Sequence, residues 1–101
     1  MATYREAQLD AIGDPTRRAI LNRLLGGPAS VSEIAKNFPV SRPAISQHLR
    51  VLKDARLVKD QVFGTRRVYQ LDHRGFESLR AYFDRFWTAA FVAFKQKVEE
   101  Q

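Results

Sequence analysis

The sequence predicts a mainly α fold with one small β-hairpin, in the order α-α-α-α-β-β-α. Three observations carry the prediction. Helix-start and helix-stop residues punctuate the chain at helical intervals as far as Asp54. The stretch Leu57 to Leu71 is rich in Val, Phe and Tyr around a central glycine, the mark of a hairpin. From Arg74 onward the apolar residues recur at spacings of three and four, which makes one long amphipathic helix. With 101 residues, 45% hydrophobic and 28% charged, the chain suits a single domain over 1–101.

The first helix covers about Tyr4 to Ile12 and stops at Gly13-Asp14. Asp14 has the character of an N-cap and Pro15 fits the first helical position, so a second helix runs from there through Leu25 with Ile20, Leu21, Leu24 and Leu25 inward. Gly26-Gly27-Pro28 ends it. Ser30 or Ser32 caps a short third helix; Ser30 with Glu33 has the spacing of a capping box, and Ile34, Ala35 and Phe38 supply the apolar side. After a turn at Phe38-Pro39-Val40, Ser41 caps the fourth helix. Pro43 is tolerated in its first turn, where the missing N–H lacks an intrahelical partner anyway. Two strands, Leu57 to Val62 and Arg66 to Leu71, flank a Phe63-Gly64-Thr65 turn with Arg66 and Arg67 at the tip.

The distribution of charge says more than its sum. The net charge is +6. Residues 1 to 40 carry five basic and four acidic side chains, residues 41 to 71 carry seven and two, and residues 72 to 101 carry five of each. Almost all the excess therefore sits on the fourth helix and the hairpin. At about 100° per residue, Ile45, Leu49, Leu52 and Arg56 share one sector of that helix, with the stem of Arg56 running along the core side. Pro43, Gln47, Arg50 and Asp54 lie opposite, Ser46 and Arg42 on one flank, and His48 nearer the core boundary. Such a polar, cationic face at a helix N-terminus suits base edges and phosphates. A helix-turn-helix followed by a basic hairpin wing has a direct use on DNA, with the helix in the major groove and the wing on flanking phosphates or the minor groove.

The string DPTRRAIL with Leu24-Leu25, then VSEIAKNF, then VSRPAISQHLRVLKDARLV and GTRRVYQL, resembles the ArsR-type winged-helix repressors of bacteria over essentially the whole chain. The resemblance implies a homodimeric transcriptional repressor that binds double-stranded DNA at a palindromic operator. It places Arg42, Pro43, Ser46 and Gln47 toward the bases and Arg66 and Arg67 on the wing contacts. The full candidate DNA-binding set is Ser41, Arg42, Pro43, Ser46, Gln47, His48, Arg50 and Lys53 of the helix with Thr65, Arg66 and Arg67 of the wing.

Departures from that family shape the remaining expectations. Metal-sensing members carry paired cysteines in the third helix, and this chain has no cysteine, which also excludes disulfides and thiol chemistry. Other members bind zinc between C-terminal helices, whereas here Asp72-His73 with Glu77 reads as a cap and surface residues. No metal and no cofactor are expected. The chain resembles the metal-free members whose C-terminal helix is aromatic. On that helix Leu79, Phe83, Phe86, Trp87, Ala90, Phe91 and Phe94 exceed what a core built on Ile20, Leu24, Ile34, Ile45, Leu49 and Leu52 can cover. Pairing with a second copy, helped by Tyr4 and Ile12, is the expected use, and an apolar effector pocket the lesser one.

Neighbours such as Ser46 and His48 or Asp72 and His73 are not aimed at one another, so an enzyme is not expected. The alternative function is a winged-helix module that binds protein without specific DNA binding. The basic Ser/Gln face and the Arg-Arg wing distinguish the two. No apolar run is long enough for a membrane span, and MATYREAQLDAIGD has no signal-peptide core, so the cytoplasm is expected. A small-molecule or protein effector is left open.

Overall fold

The computed structural model describes residues 4–100, the side chain of Tyr4 excepted. The element order is α1 (Tyr4–Ile12), α2 (Pro15–Leu25), α3 (Val31–Ala35), α4 (Arg42–Asp54), β1 (Val58–Phe63), β2 (Arg66–Leu71) and α5 (His73–Glu99). No helix among the described residues is long and apolar enough to cross a membrane.

Local chemistry sets most boundaries. Asp14 accepts from the backbone N–H of Arg17 at 3.0 Å and so caps α2, with Pro15 in its first turn. The same Arg17 turns its side chain back on α1, where Nε donates to the Ala11 carbonyl at 2.8 Å and a terminal nitrogen donates to that of Asp10 at 3.2 Å. Arg18 donates to the Ile12 carbonyl at 2.7 Å. Two guanidinium groups thus satisfy the orphan carbonyls of the α1 C-terminus, where the helix dipole also favours positive charge. Of the two caps open for α3, Ser30 is the one used. Glu33 N donates to Ser30 Oγ at 3.2 Å and Ser30 N to Glu33 Oε1 at 3.4 Å, which completes the capping box.

At the end of α4, Arg56 N bonds to the Lys53 carbonyl and Leu57 N to the Leu52 carbonyl, both at 2.9 Å. This is a Schellman closure, and it places Arg56 at φ 61, a conformation that a glycine takes with less strain. The structure therefore corrects two expectations. Arg56 lies beyond α4 instead of along its core face, and Leu57 belongs to the helix stop, so the first strand starts at Val58.

The hairpin pairs Val58 with Leu71 through to Phe63 with Arg66, leaving Gly64-Thr65 as a two-residue loop. Gly64 at φ 64 occupies the first central position, where glycine has no steric cost. Phe63 is thus in the ladder, and Arg66 and Arg67 open β2 beside the tip. Ala29 adds a bridge to Tyr69, with bonds of 3.0 and 2.8 Å, and this ties the wing base to the α2–α3 connection.

The core gathers Ile20, Ile34, Ile45, Leu49, Leu52 and Leu57, all fully buried. Burying each such side chain contributes about 1.5–3 kcal/mol against leaving it in water. Leu25 does not join them; it is 73% exposed, because the last turn of α2 overhangs the edge of the body. Gly75 anchors α5. A Cβ there would collide with the carbonyl of Arg56, and its own carbonyl accepts from Nε2 of the buried Gln8 at 3.3 Å.

Candidate nucleic-acid interface

The recognition unit is α3, the turn after it, and α4. Ile45, Leu49 and Leu52 hold α4 in the core by one face, which turns the opposite face to solvent. Ser41 caps the helix through Ala44 N at 3.3 Å. Ser41, Arg42, Pro43, Ser46, Gln47, Arg50 and Lys53 are all exposed along that outward side. Between it and the wing lies a cleft of about 520 Å³ lined by Pro43, Ser46, Gln47, Arg50, Lys53, Asp54 and Tyr69. Ser46, Gln47 and Arg50 have no side-chain partner among the described residues, so their donors and acceptors are available to a ligand.

Other members of the candidate set are already engaged. Arg42 donates to Ser32 Oγ at 2.5 Å, which ties the start of α4 to α3. Lys53 reaches Asp60 at 2.8 Å, and Arg67 pairs with the same carboxylate. The Asp60 side chain is only 9% exposed, and the hydrogen bond from Lys53 first, then that from Arg67, holds its carboxyl below the ordinary 3.8. Arg66 pairs with Glu33, the residue that also closes the α3 capping box. The wing is consequently fixed to the helix-turn-helix at two points, Glu33 and Asp60, besides the Ala29–Tyr69 bridge. Thr65 sits exposed in the loop between the strands. His48 is placed differently from the others: half-buried, its Nδ1 lies 3.5 Å from the Arg17 guanidinium, so it joins α4 to α2 rather than standing on the outward face.

Sequence reasoning missed Tyr69 as part of this surface. Its alternation with Leu71 in β2 marks it as inward, but only the three-dimensional packing shows its ring closing the cleft beside α4. Among the described residues no group of three His, Asp or Glu side chains is placed to share a metal ion.

The aromatic surface is separate. From Phe83 to Glu99 every side chain of α5 is exposed, including Phe83 at 41%, Phe86 at 58%, Trp87 at 75%, Phe91 at 66% and Phe94 at 65%. Ala90 is exposed with them and Ile12 is half-buried. Leu79, expected at the same interface, is 6% exposed and is used by the chain itself to seat α5. The side chain of Tyr4 lies outside the described residues.

The sequence profile of bacterial regulatory proteins of the arsR family matches residues 14–60, which span α2 to the start of the wing. The chain is 53% identical over 103 residues to the HTH-type transcriptional regulator Rv2034 of Mycobacterium tuberculosis, covering 100% of this chain and 96% of that one. It is 45% identical over 62 residues to the transcriptional repressor SdpR of Bacillus subtilis, covering 61% and 69%. A crystal structure of a possible transcriptional regulator for arsenical resistance superposes with a TM-score of 0.74 at 48% identity, over 80% of this chain and 84% of that one. These relatives are transcriptional regulators and not enzymes, and the likeness to Rv2034 extends over the whole chain. The chain belongs to the arsR family of bacterial regulatory proteins, with a winged helix-turn-helix fold.

Proposed function

We propose that the protein is a transcriptional repressor that binds double-stranded DNA at a palindromic operator as a homodimer. The observation that carries this reading is the outward face of α4, where Ser46, Gln47 and Arg50 stand unpartnered beside a wing that bears Arg66 and Arg67. In this arrangement α4 enters the major groove. Arg42, Pro43, Ser46 and Gln47 face the base edges, Arg50 and Lys53 contact phosphates, and Ser41 brings the helix N-terminus close to the backbone. The wing lies over the neighbouring groove through Thr65, Arg66 and Arg67. His48 supports this surface from behind by fixing α4 to Arg17.

The exposed aromatics of α5, with Ile12, hold two copies together. A helix whose last half is exposed along its whole length is marginal in water on its own, and a partner helix supplies what it lacks. A regulator of transcription acts where the chromosome is, so the cytoplasm is its compartment. A protein-binding winged helix has no need of an unpartnered Ser/Gln/Arg face, and the DNA reading is preferred for that reason.

Gel-shift titrations at several salt concentrations test the proposal. Binding to the operator should weaken steeply with salt, and exchanging Arg66 and Arg67 for alanine should lower the slope by about one unit per lost phosphate contact. A slope unchanged by both exchanges removes the wing from the interface. Salt-independent binding removes DNA as the ligand.

A further inference from the structure

The end of α4 and the starts of β1 and α5 meet α1 around a pocket of about 410 Å³, a volume within the range of small-molecule sites. Its charge is one-sided. Lys53, Arg56, Lys59 and Arg74 line it against a single carboxylate, that of Asp72, which already accepts from the Arg74 backbone N–H at 3.1 Å to cap α5. Gln8 forms another part of the wall and is only 2% exposed. Its Nε2 donates to the Gly75 carbonyl at 3.3 Å, which fixes the amide in place. The other end of that amide, Oε1, is buried and has no hydrogen-bond partner. Folded proteins rarely leave a buried acceptor orphaned, and an amide oxygen can only accept. The pocket therefore asks for two things at once: anionic oxygens for its cations and a hydrogen-bond donor for Gln8.

We infer that this pocket binds a small phosphate ester bearing free hydroxyl groups, and that its occupation weakens the hold on DNA. A phosphate monoester carries about −1.5 to −2 charges at neutral pH and three acceptor oxygens, which suits a cluster of Lys and Arg better than a monocarboxylate does. A hydroxyl on the same molecule donates to Gln8 Oε1, and Ser78 at the rim can bond a second one. Lys53 couples the pocket to the DNA-facing surface. It lines both the pocket and the cleft beside the wing, and it bonds Asp60 at 2.8 Å, the carboxylate that also holds Arg67. Drawn to a phosphate in the pocket, Lys53 leaves the DNA backbone and loosens the anchor of the wing. Linkage is reciprocal, so operator DNA disfavours the ester by the same factor as the ester disfavours DNA. That coupling rests on the repressor reading, whereas binding in the pocket does not.

Proton–nitrogen correlation spectra of the full chain, titrated at constant ionic strength with glycerol 3-phosphate and with ribose 5-phosphate, test the site. At least one ester should shift the Gln8 side-chain amide and the Gly75 and Ser78 N–H signals saturably, and ribose should not. Lys59→Glu and Arg74→Glu reverse exposed cations outside the DNA-facing set, and each should raise the dissociation constant of the ester about tenfold or more. Absence of saturable shifts with both esters, or tighter binding of malate, a hydroxylated dicarboxylate, overturns the phosphate-ester site. So does an affinity that neither reversal changes. In operator gel shifts at the same ionic strength, a saturating ester should raise the dissociation constant of wild type about fivefold or more and leave that of Arg74→Glu unmoved. Ester that binds without changing operator affinity overturns the coupling alone. A wild-type chain that binds no operator overturns the repressor reading, so the failures are told apart.

Discussion

Gln47 lines the cleft between α4 and the wing with no partner of its own, so both ends of its amide are free to meet a base edge. Gln47→Ala should relax discrimination at one or two base pairs of each half-site by about 1–3 kcal/mol and leave nonspecific binding nearly intact. Competition gel shifts against single-base operator variants read this; an equal loss on every sequence would make Gln47 a phosphate contact. Asp60 makes a second prediction. Its native pKa lies below the ordinary 3.8, so the charged form is favoured by folding, and the stability it contributes is complete above that ordinary value and is lost as pH falls through the lowered one. Wild type should therefore lose stability below about pH 4 more steeply than Asp60→Asn, which has no carboxyl to protonate. Urea titrations between pH 3 and 6 check the difference. The outward face of α4 was legible in the sequence because helical projection is local arithmetic. The pairs Arg66 with Glu33, Lys53 and Arg67 with Asp60, and His48 with Arg17 were not, since each joins residues whose proximity depends on how elements pack.

Gly75 bears on how one element is seated on another. A methyl group at this position meets the Arg56 carbonyl, which the Schellman closure holds rigidly, so neither backbone can yield without lifting α5 or undoing the end of α4. Gly75→Ala should destabilise the protein by about 1–3 kcal/mol despite alanine's better helix propensity. Thermal unfolding measures it, and a melting temperature at or above wild type would show that the two backbones move apart easily. Helix boundaries were well anticipated because Asp14, Ser30 and Ser41 cap through bonds only three residues long. The helix stop at Arg56 was not. An arginine gives no local hint of a positive φ, and the conformation is held by its neighbours. Leu25 misled for a related reason, since periodicity assigns a face to a helix but does not say whether the body extends beneath its last turn.

At the scale of the whole molecule, reading DNA depends on a surface that touches no DNA. One recognition helix and one wing contact few bases, and nonspecific affinity for such modules is typically about 10⁻⁴–10⁻⁶ M, so useful specificity requires two linked copies. A two-fold axis sets the recognition helices about 34 Å apart, one turn of the duplex, and makes the operator an inverted repeat. The stripe on α5, where Phe86, Trp87, Phe91 and Phe94 are large, aligned and uncovered, is the surface proposed to hold that spacing. Trp87 and Phe91 at the centre of the seam should each contribute about 2–4 kcal/mol to association. Phe91→Asp buries an unpaired charge there on pairing, at a cost that outweighs the lost contact alone. Because Phe91 is 66% exposed in the single chain, the substitution leaves the core around Ile45 and Leu49 untouched. The variant should sediment as a folded monomer that still unfolds cooperatively on heating, and it should lose operator binding although every DNA-facing side chain is intact. Sedimentation and operator gel shifts on the same preparation decide the matter: a monomer that binds at wild-type affinity uncouples pairing from recognition, and a variant that stays dimeric moves the seam off this stripe.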